Sequence, residues 1–265
     1  MIEKLIISPQ IVVYKNIFKN SSPLIDFLNS NDKKIMNSQW QDWYDNGWRF
    51  SVNFDDIQES ESKNYVYLKE MCEASDYIAK DYMSEYSKEN GIWPNFISDW
   101  DSINLNNHNI DFFKYNLDHS RDRDWDSDFL MNYHVDEFDV DGVFKSQKNI
   151  VTINFYLNDD YKGGEICAYN KDLNISYRYK PVAGDAVVMP SASPFFHAVK
   201  PFYFSDRYFS RVFINYNDTS MDSSEDNNFF SKEHSVGNPH EKKFIDQGYQ
   251  FLNVDIKEVE VRGDV

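Results

Sequence analysis

His134 and Asp136 sit two apart in YHVDEF, residues 133–138, and pair an imidazole nitrogen with a carboxylate. Six His in a chain where 44 of 265 residues are Asp or Glu supply about one His-x-acid pair by coincidence, so the pair acquires meaning only from its surroundings. Residues two apart on an extended strand share a face. In FLMNYHVD, Phe129, Met131, Tyr133 and Val135 therefore point one way, while Leu130, Asn132, His134 and Asp136 point the other. The apolar set can pack on a core, which leaves His134 and Asp136 side by side facing a cavity. NIVTINFYL divides in the same manner, with Val151, Ile153, Phe155 and Leu157 on an apolar face and Thr152, Asn154 and Tyr156 on a polar one. Polar residues turned inward in a β protein imply something there to bind. FFHAV adds His197 at a strand start, just after a turn bounded by Pro190 and Pro194. Two imidazoles and one carboxylate are the facial ligand set for non-haem Fe(II), with three positions left open. The same ligands suit Zn or Mn, so ligand type alone leaves the metal undetermined.

The elements that must position these residues are short and numerous. After about residue 110 the pattern is one of alternating runs separated by turn signals, as in an antiparallel β architecture. Strands are expected at 110–115, 129–135, 149–157, 164–169, 185–189, 195–199 and 207–216, with a last one at 254–262. Gly163 and Gly164 read as turn chemistry before a strand. Upstream, residues 10–15 predict a short strand, and Ser21-Ser22-Pro23 followed by LIDFL predicts a capped helix start. Leu68, Met71, Cys72, Ile78, Tyr82 and Tyr86 recur at helical spacing and predict a long amphipathic helix from Asn64 to about Asn90. Residues 218–243, rich in Ser, Asp, Asn and Lys, predict a loop or tail. The charged stretch 117–128, LDHSRDRDWDSD, reads as a solvated loop or as a lid whose Arg121, Arg123 or Trp125 would meet a substrate; His119 has no carboxylate two residues on and stays outside the metal set.

Composition sets bounds. At 265 residues the chain suits one large domain, with a core resting heavily on its 21 Phe, 18 Tyr and 6 Trp. The net charge of −17 repels polyanions, so duplex nucleic acid is not an expected partner. No apolar run is long enough to span a membrane and the N-terminus lacks the features of an export signal, which leads to the expectation of a soluble, cytoplasmic protein. Cys72 and Cys167 imply neither a disulfide framework nor a cysteine-rich zinc site.

In order along the chain, FFKYN, YHVD, TINFYLND, YKGGEI, KPVAGDAVVMP, FFHAVKPF and DRYFSRVF resemble the Fe(II)/2-oxoglutarate-dependent dioxygenases, specifically the prolyl 4-hydroxylase-like branch. The resemblance spans residues 110–216. It implies an α+β, mainly β fold, a double-stranded β-helix (jelly roll) with N-terminal helical support. Residues 1–109 would form the support, 110–217 the catalytic core and 218–265 a polar loop and extension, all in one compact domain. It implies that His134, Asp136 and His197 bind Fe(II). Arg207, ten residues past His197, would pair with the distal carboxylate of 2-oxoglutarate, with Arg211 as the fallback four residues on. Tyr156 would assist that carboxylate and Tyr115 would line the same pocket. The implied reaction consumes O2 and 2-oxoglutarate, with ascorbate as a candidate accessory reductant, releases succinate and CO2, and hydroxylates an aliphatic carbon. The branch suggests a prolyl side chain of a peptide or protein, while relatives also act on other side chains and small molecules. Asp136 favours hydroxylation, because halogenating relatives lack that carboxylate. A Zn- or Mn-dependent jelly-roll hydrolase or isomerase, and a non-catalytic jelly-roll binding protein, stand as alternatives. The oligomeric state is not legible.

Overall fold

The computed structural model of the chain describes residues 2–8, 11–29, 41–42, 48–54, 57, 65–84, 109–117, 124, 129–134, 136, 148–170, 173–191, 196–216, 256 and 258–263. The expected lid over 117–128, apart from Leu117 and Asp124, and the tail 218–243 lie outside these residues, as do Val135 and Tyr86.

The elements run β1 (Lys4–Ser8), β2 (Ile11–Tyr14), α1 (Ser22–Asn29), β3 (Gln41–Asp42), β4 (Trp48–Asn53), α2 (Tyr65–Tyr82), β5 (Asn109–Tyr115), β6 (Met131–His134), β7 (Lys148–Tyr156) and β8 (Lys162–Gly163). There follow β9 (Ile166–Asn170), β10 (Ile175–Tyr179), β11 (Ala186–Pro190), β12 (His197–Val199), β13 (Phe202–Tyr203), β14 (Arg207–Tyr216) and β15 (Glu258–Arg262). An eight-stranded sheet in the order β1-β2-β11-β7-β14-β5-β4-β3 and a five-stranded sheet in the order β15-β10-β9-β12-β6 make the two layers of a double-stranded β-helix, with β8 and β13 as a small ribbon. The N-terminal residues give more than helical support: β1 and β2 extend one edge of the large sheet, and β3 and β4 extend the other.

The period-two pattern in β7 sorts its side chains as the sequence requires. Val151, Ile153, Phe155 and Leu157 are buried with Leu24 and Leu28 of α1 and Leu68, Met71 and Ile78 of α2, so the helices cover the outer face of the large sheet. Each such fully buried aliphatic side chain contributes about 1.5–3 kcal/mol. At the start of α1 the Ser21 carbonyl accepts the first helical bonds, from the N–H groups of Leu24 and Ile25 at 3.0 and 3.2 Å, and the side chain that accepts from a helix N–H is Asn20, whose Oδ1 lies 3.0 Å from the Ser22 nitrogen, in place of the expected serine. The Ser21 hydroxyl donates to the Leu157 carbonyl and so ties the helix start to the end of β7. Cys72 and Cys167 are buried and form no disulfide. No described helix is long and apolar enough to cross a membrane.

Strict alternation fails at one place. Between the pairs His134↔His197 and Met131↔Val199, β6 spends three residues where β12 spends two. This extra residue is a β-bulge, which turns the chain over. Met131, expected on the core face with Phe129 and Tyr133, therefore lines the inner cavity together with Leu130, while Tyr133 stays in the core beside Cys167 and Phe196.

Candidate active site

His134 closes β6 and His197 opens β12, and the two are directly opposed partners of an antiparallel pair. Such partners stand about 5 Å apart at Cβ, and the two imidazole centroids lie 4.3 Å apart. Asp136 follows with Oδ1 3.8 Å from His134 Nε2 and Oδ2 3.7 Å from His197 Nε2. Both separations are too long for a hydrogen bond, so the three groups converge without satisfying one another. One ligand atom from each lies within 4.8 Å of the others, and all three residues are buried.

Their protonation suits a cation. His134 Nδ1 lies 2.7 Å from the Asn132 carbonyl, which can only accept, so the hydrogen resides on Nδ1 and the Nε2 lone pair faces the centre. Burial, reinforced by His197, pushes His134 down to about 3 and keeps its ring neutral. Burial alone would raise Asp136, but His197, Arg211 and the Thr152 hydroxyl hold it below its ordinary value as a carboxylate. Thr152 donates to Asp136 Oδ2 at 2.8 Å and lies 2.8 Å from Ser191 Oγ. The neutral His134 imidazole, the His197 imidazole and an oriented carboxylate are a donor set that fits Fe(II).

The large sheet faces this cluster with a ladder of cross-strand neighbours. On β14, Arg207, Phe209 and Arg211 share a face, opposed on β5 by Tyr115, Phe113 and Asp111 respectively. On the other side, β7 sets Tyr156 opposite Phe209, Asn154 opposite Arg211 and Thr152 opposite Phe213. The wall is aromatic in the middle, where Phe113 and Phe209 stack at 4.6 Å. Four residues at about 3.3 Å each separate the Thr152 end from the Tyr156 end by roughly 13 Å.

The two arginines at the ends of this ladder differ in their surroundings. Arg211 Nη1 lies 3.4 Å from Asp136 Oδ1 and Nη2 3.7 Å from Asp111 Oδ2, and its guanidinium packs against the rings of Phe113 and Phe213 at 4.8 and 4.4 Å. The fallback arginine is thus occupied at the metal end. Arg207 is 2% exposed, with Tyr156 and Phe209 at 5.2 Å and Tyr161 and Tyr115 at 5.9 and 6.0 Å from its central carbon. Among the described residues no carboxylate pairs with it. Burial opposes its charge, and the tyrosines more than offset that. A buried guanidinium with aromatic rings but no carboxylate beside it suits an anion supplied by a ligand.

All expected site residues, His134, Asp136, His197, Arg207, Tyr156 and Tyr115, border one cavity with Arg211. Spacing alone did not single out Asp111, Ser191, Lys180 or Tyr161. For Tyr161 a signal existed: a Cβ on Gly164 would lie 2.8 Å from Tyr161 Cε2, so the second glycine of YKGGEI marks a ring packed against the backbone.

Residues 125–216 match the family model of the 2OG-Fe(II) oxygenase superfamily. No curated protein matches the chain. Among solved structures, a viral collagen prolyl hydroxylase of Paramecium Bursaria Chlorella virus-1, in complex with 2OG, is 12% identical over 78% of this chain and 95% of its own, with a TM-score of 0.45. A Pseudomonas putida prolyl-4-hydroxylase is 15% identical over 79% and 94%, with a TM-score of 0.49. A Trichoplax adhaerens prolyl hydroxylase, bound to a hypoxia inducible factor peptide fragment, is 13% identical over 79% and 84%, with a TM-score of 0.47.

Proposed function

We propose, for a chain whose residues 125–216 match the 2OG-Fe(II) oxygenase superfamily model, that it is a 2-oxoglutarate-dependent dioxygenase hydroxylating an aliphatic carbon, with a prolyl side chain of a peptide as the first substrate to test. The observation that carries the reading is one cavity with His134, Asp136 and His197 at one end and the buried, carboxylate-free Arg207 at the other. A hydrolase or a binding protein has no use for that second feature. The prolyl substrate rests on the prolyl 4-hydroxylase-like order of motifs from FFKYN to DRYFSRVF.

When bound, Fe(II) supplies the redox chemistry that couples O2 and the oxidative decarboxylation of 2-oxoglutarate, to succinate and CO2, with hydroxylation of the substrate. The chain's own residues bind and orient. His134 and His197 would present Nε2 to the metal, with the His134 ring fixed by the Asn132 carbonyl. Thr152 and Arg211 each hold one oxygen of Asp136, which restricts rotation of that carboxylate. Arg207 would receive the distal carboxylate of 2-oxoglutarate, assisted by Tyr156 with Tyr115 beside it. The stacked rings of Phe113, Phe209 and Tyr115 line the wall between the two ends with apolar surface. Asp136 would hold the metal where a halogenating site leaves room for halide, which favours hydroxylation over halogenation.

Anaerobic titration with Fe(II) and then 2-oxoglutarate tests this, through the visible band that a 2-oxo acid produces with Fe(II). The band should appear only with both added, and Arg207→Ala should need at least about tenfold more 2-oxoglutarate, the loss expected for a charge-assisted pair. Metal binding without any band in the wild type would reject the reading in favour of a Zn- or Mn-dependent enzyme.

A further inference from the structure

We infer, resting on the co-substrate reading above, that Tyr161 is a further donor to the distal carboxylate held by Arg207, and that Lys180 is the residue that positions it. Two cations lie near the Tyr161 ring. Lys180 Nζ stands 3.4 Å from its centroid, and the Arg207 guanidinium carbon lies 5.9 Å from the same centroid. Tyr161 is 3% exposed, and its phenol interacts electrostatically with Arg207.

Three buried polar atoms in this cluster, Tyr161 Oη, Arg207 Nε and Lys180 Nζ, have no hydrogen-bond partner among the described residues. Buried unsatisfied groups are uncommon and individually costly. Three donors collected around one tyrosine point to a ligand that brings acceptors, and a carboxylate, with two oxygens and about four lone pairs, is of that kind. The acidic residues whose charge reaches Lys180 are Glu165, Asp159 and Asp160, and none of them bonds its ammonium.

The chain is also built to put the ring there. Gly163 and Gly164 both adopt positive φ, 74° and 72°, and the Gly164 N–H donates to the Pro201 carbonyl at 2.8 Å. That turn brings the Gly164 backbone onto the Tyr161 ring so closely that a Cβ would collide with it, while Phe202 closes the ring edge-on at 5.9 Å. Lys180 covers the ring from the segment after β10. A cation over a phenol's face withdraws electron density from it and makes the hydroxyl a stronger donor to an anion.

The test compares two 2-oxo acids that share the same metal-binding end: 2-oxoglutarate, and 2-oxopentanoate, in which a methyl replaces the distal carboxylate. Dissociation constants are measured by calorimetry under anaerobic conditions on the 265-residue chain loaded with Mn(II) or Fe(II). Tyr161→Phe keeps the ring and its packing, so it should weaken 2-oxoglutarate about tenfold and leave 2-oxopentanoate within about twofold. Lys180→Met should weaken 2-oxoglutarate by about threefold or more with the same selectivity. Wild-type affinity for 2-oxoglutarate in Tyr161→Phe, or equal losses for both acids, would overturn the role of Tyr161, and an unaltered Lys180→Met would overturn that of Lys180. A wild type that fails to prefer 2-oxoglutarate over 2-oxopentanoate would instead overturn the co-substrate reading, and this assignment with it.

Discussion

Arg207 and Arg211 lie four residues apart on one face of β14, and only their cross-strand neighbours distinguish them. Arg211 meets Asp111 across the strand and reaches Asp136 at the metal end, whereas Arg207 meets Tyr115 and further phenols. The spacing from His197 to Arg207 was readable; the pairing of Arg211 with Asp136 was not, because nothing local links residues 75 apart. The same holds for Thr152, legible as an inward polar residue but not as the donor to Asp136 Oδ2. Thr152→Val keeps the shape of the side chain and removes that hydroxyl. It should weaken Mn(II) or Fe(II) binding by about tenfold or more, measured by titration of the metal-free protein; an unchanged affinity would show that Asp136 needs no such support.

At the level of elements, the two periods did most of the sorting. β7 alternates cleanly because both of its faces are buried for different reasons, one under the helices and one on the cavity. Its outer face should behave as pure core. Ile153→Ala, at a fully buried position, is expected to cost about 2–5 kcal/mol, seen as a lower denaturation midpoint, while the affinity for 2-oxoglutarate of the folded protein stays as in the wild type. A comparable loss of affinity would mean that β7 does not insulate its two faces. The β6 bulge, the edge strand β1 and the interior strands β4 and β10 were less legible. A bulge is defined by two strands together, and an edge strand such as β1 gains its extended form by pairing with β2.

For the molecule as a whole, the neutral His134 buried between the sheets links stability to pH. The unfolded chain takes up this proton near 6.5, the folded chain only at about 3. The metal-free protein therefore has the full contribution above 6.5 and loses it progressively as pH falls towards 3. Asp136, also held below its ordinary value, adds a loss in the same direction only in the more acidic range. Neutralising part of the −17 net charge works in the opposite sense by relieving repulsion, so the comparison with His134→Gln isolates the histidine. Denaturation midpoints between pH 7 and pH 4, in chelator, should fall more steeply for the wild type than for the variant, and parallel slopes would refute the account. By itself the sequence determined which side chains of β7 face inward, which residues form the candidate His-Asp-His set and which arginine lies ten positions past His197, because strand period and chain order are local properties. Tertiary structure decided what the local pattern cannot carry. Pairing β6 with β12 set the two histidines face to face, and the bulge between them turned Met131 inward. Folding the large sheet over this pair brought Thr152 and Arg211 to Asp136 and placed Tyr161 near Lys180 and Arg207. Such contacts depend on register between distant segments, which is fixed only when both faces of each strand find their partners.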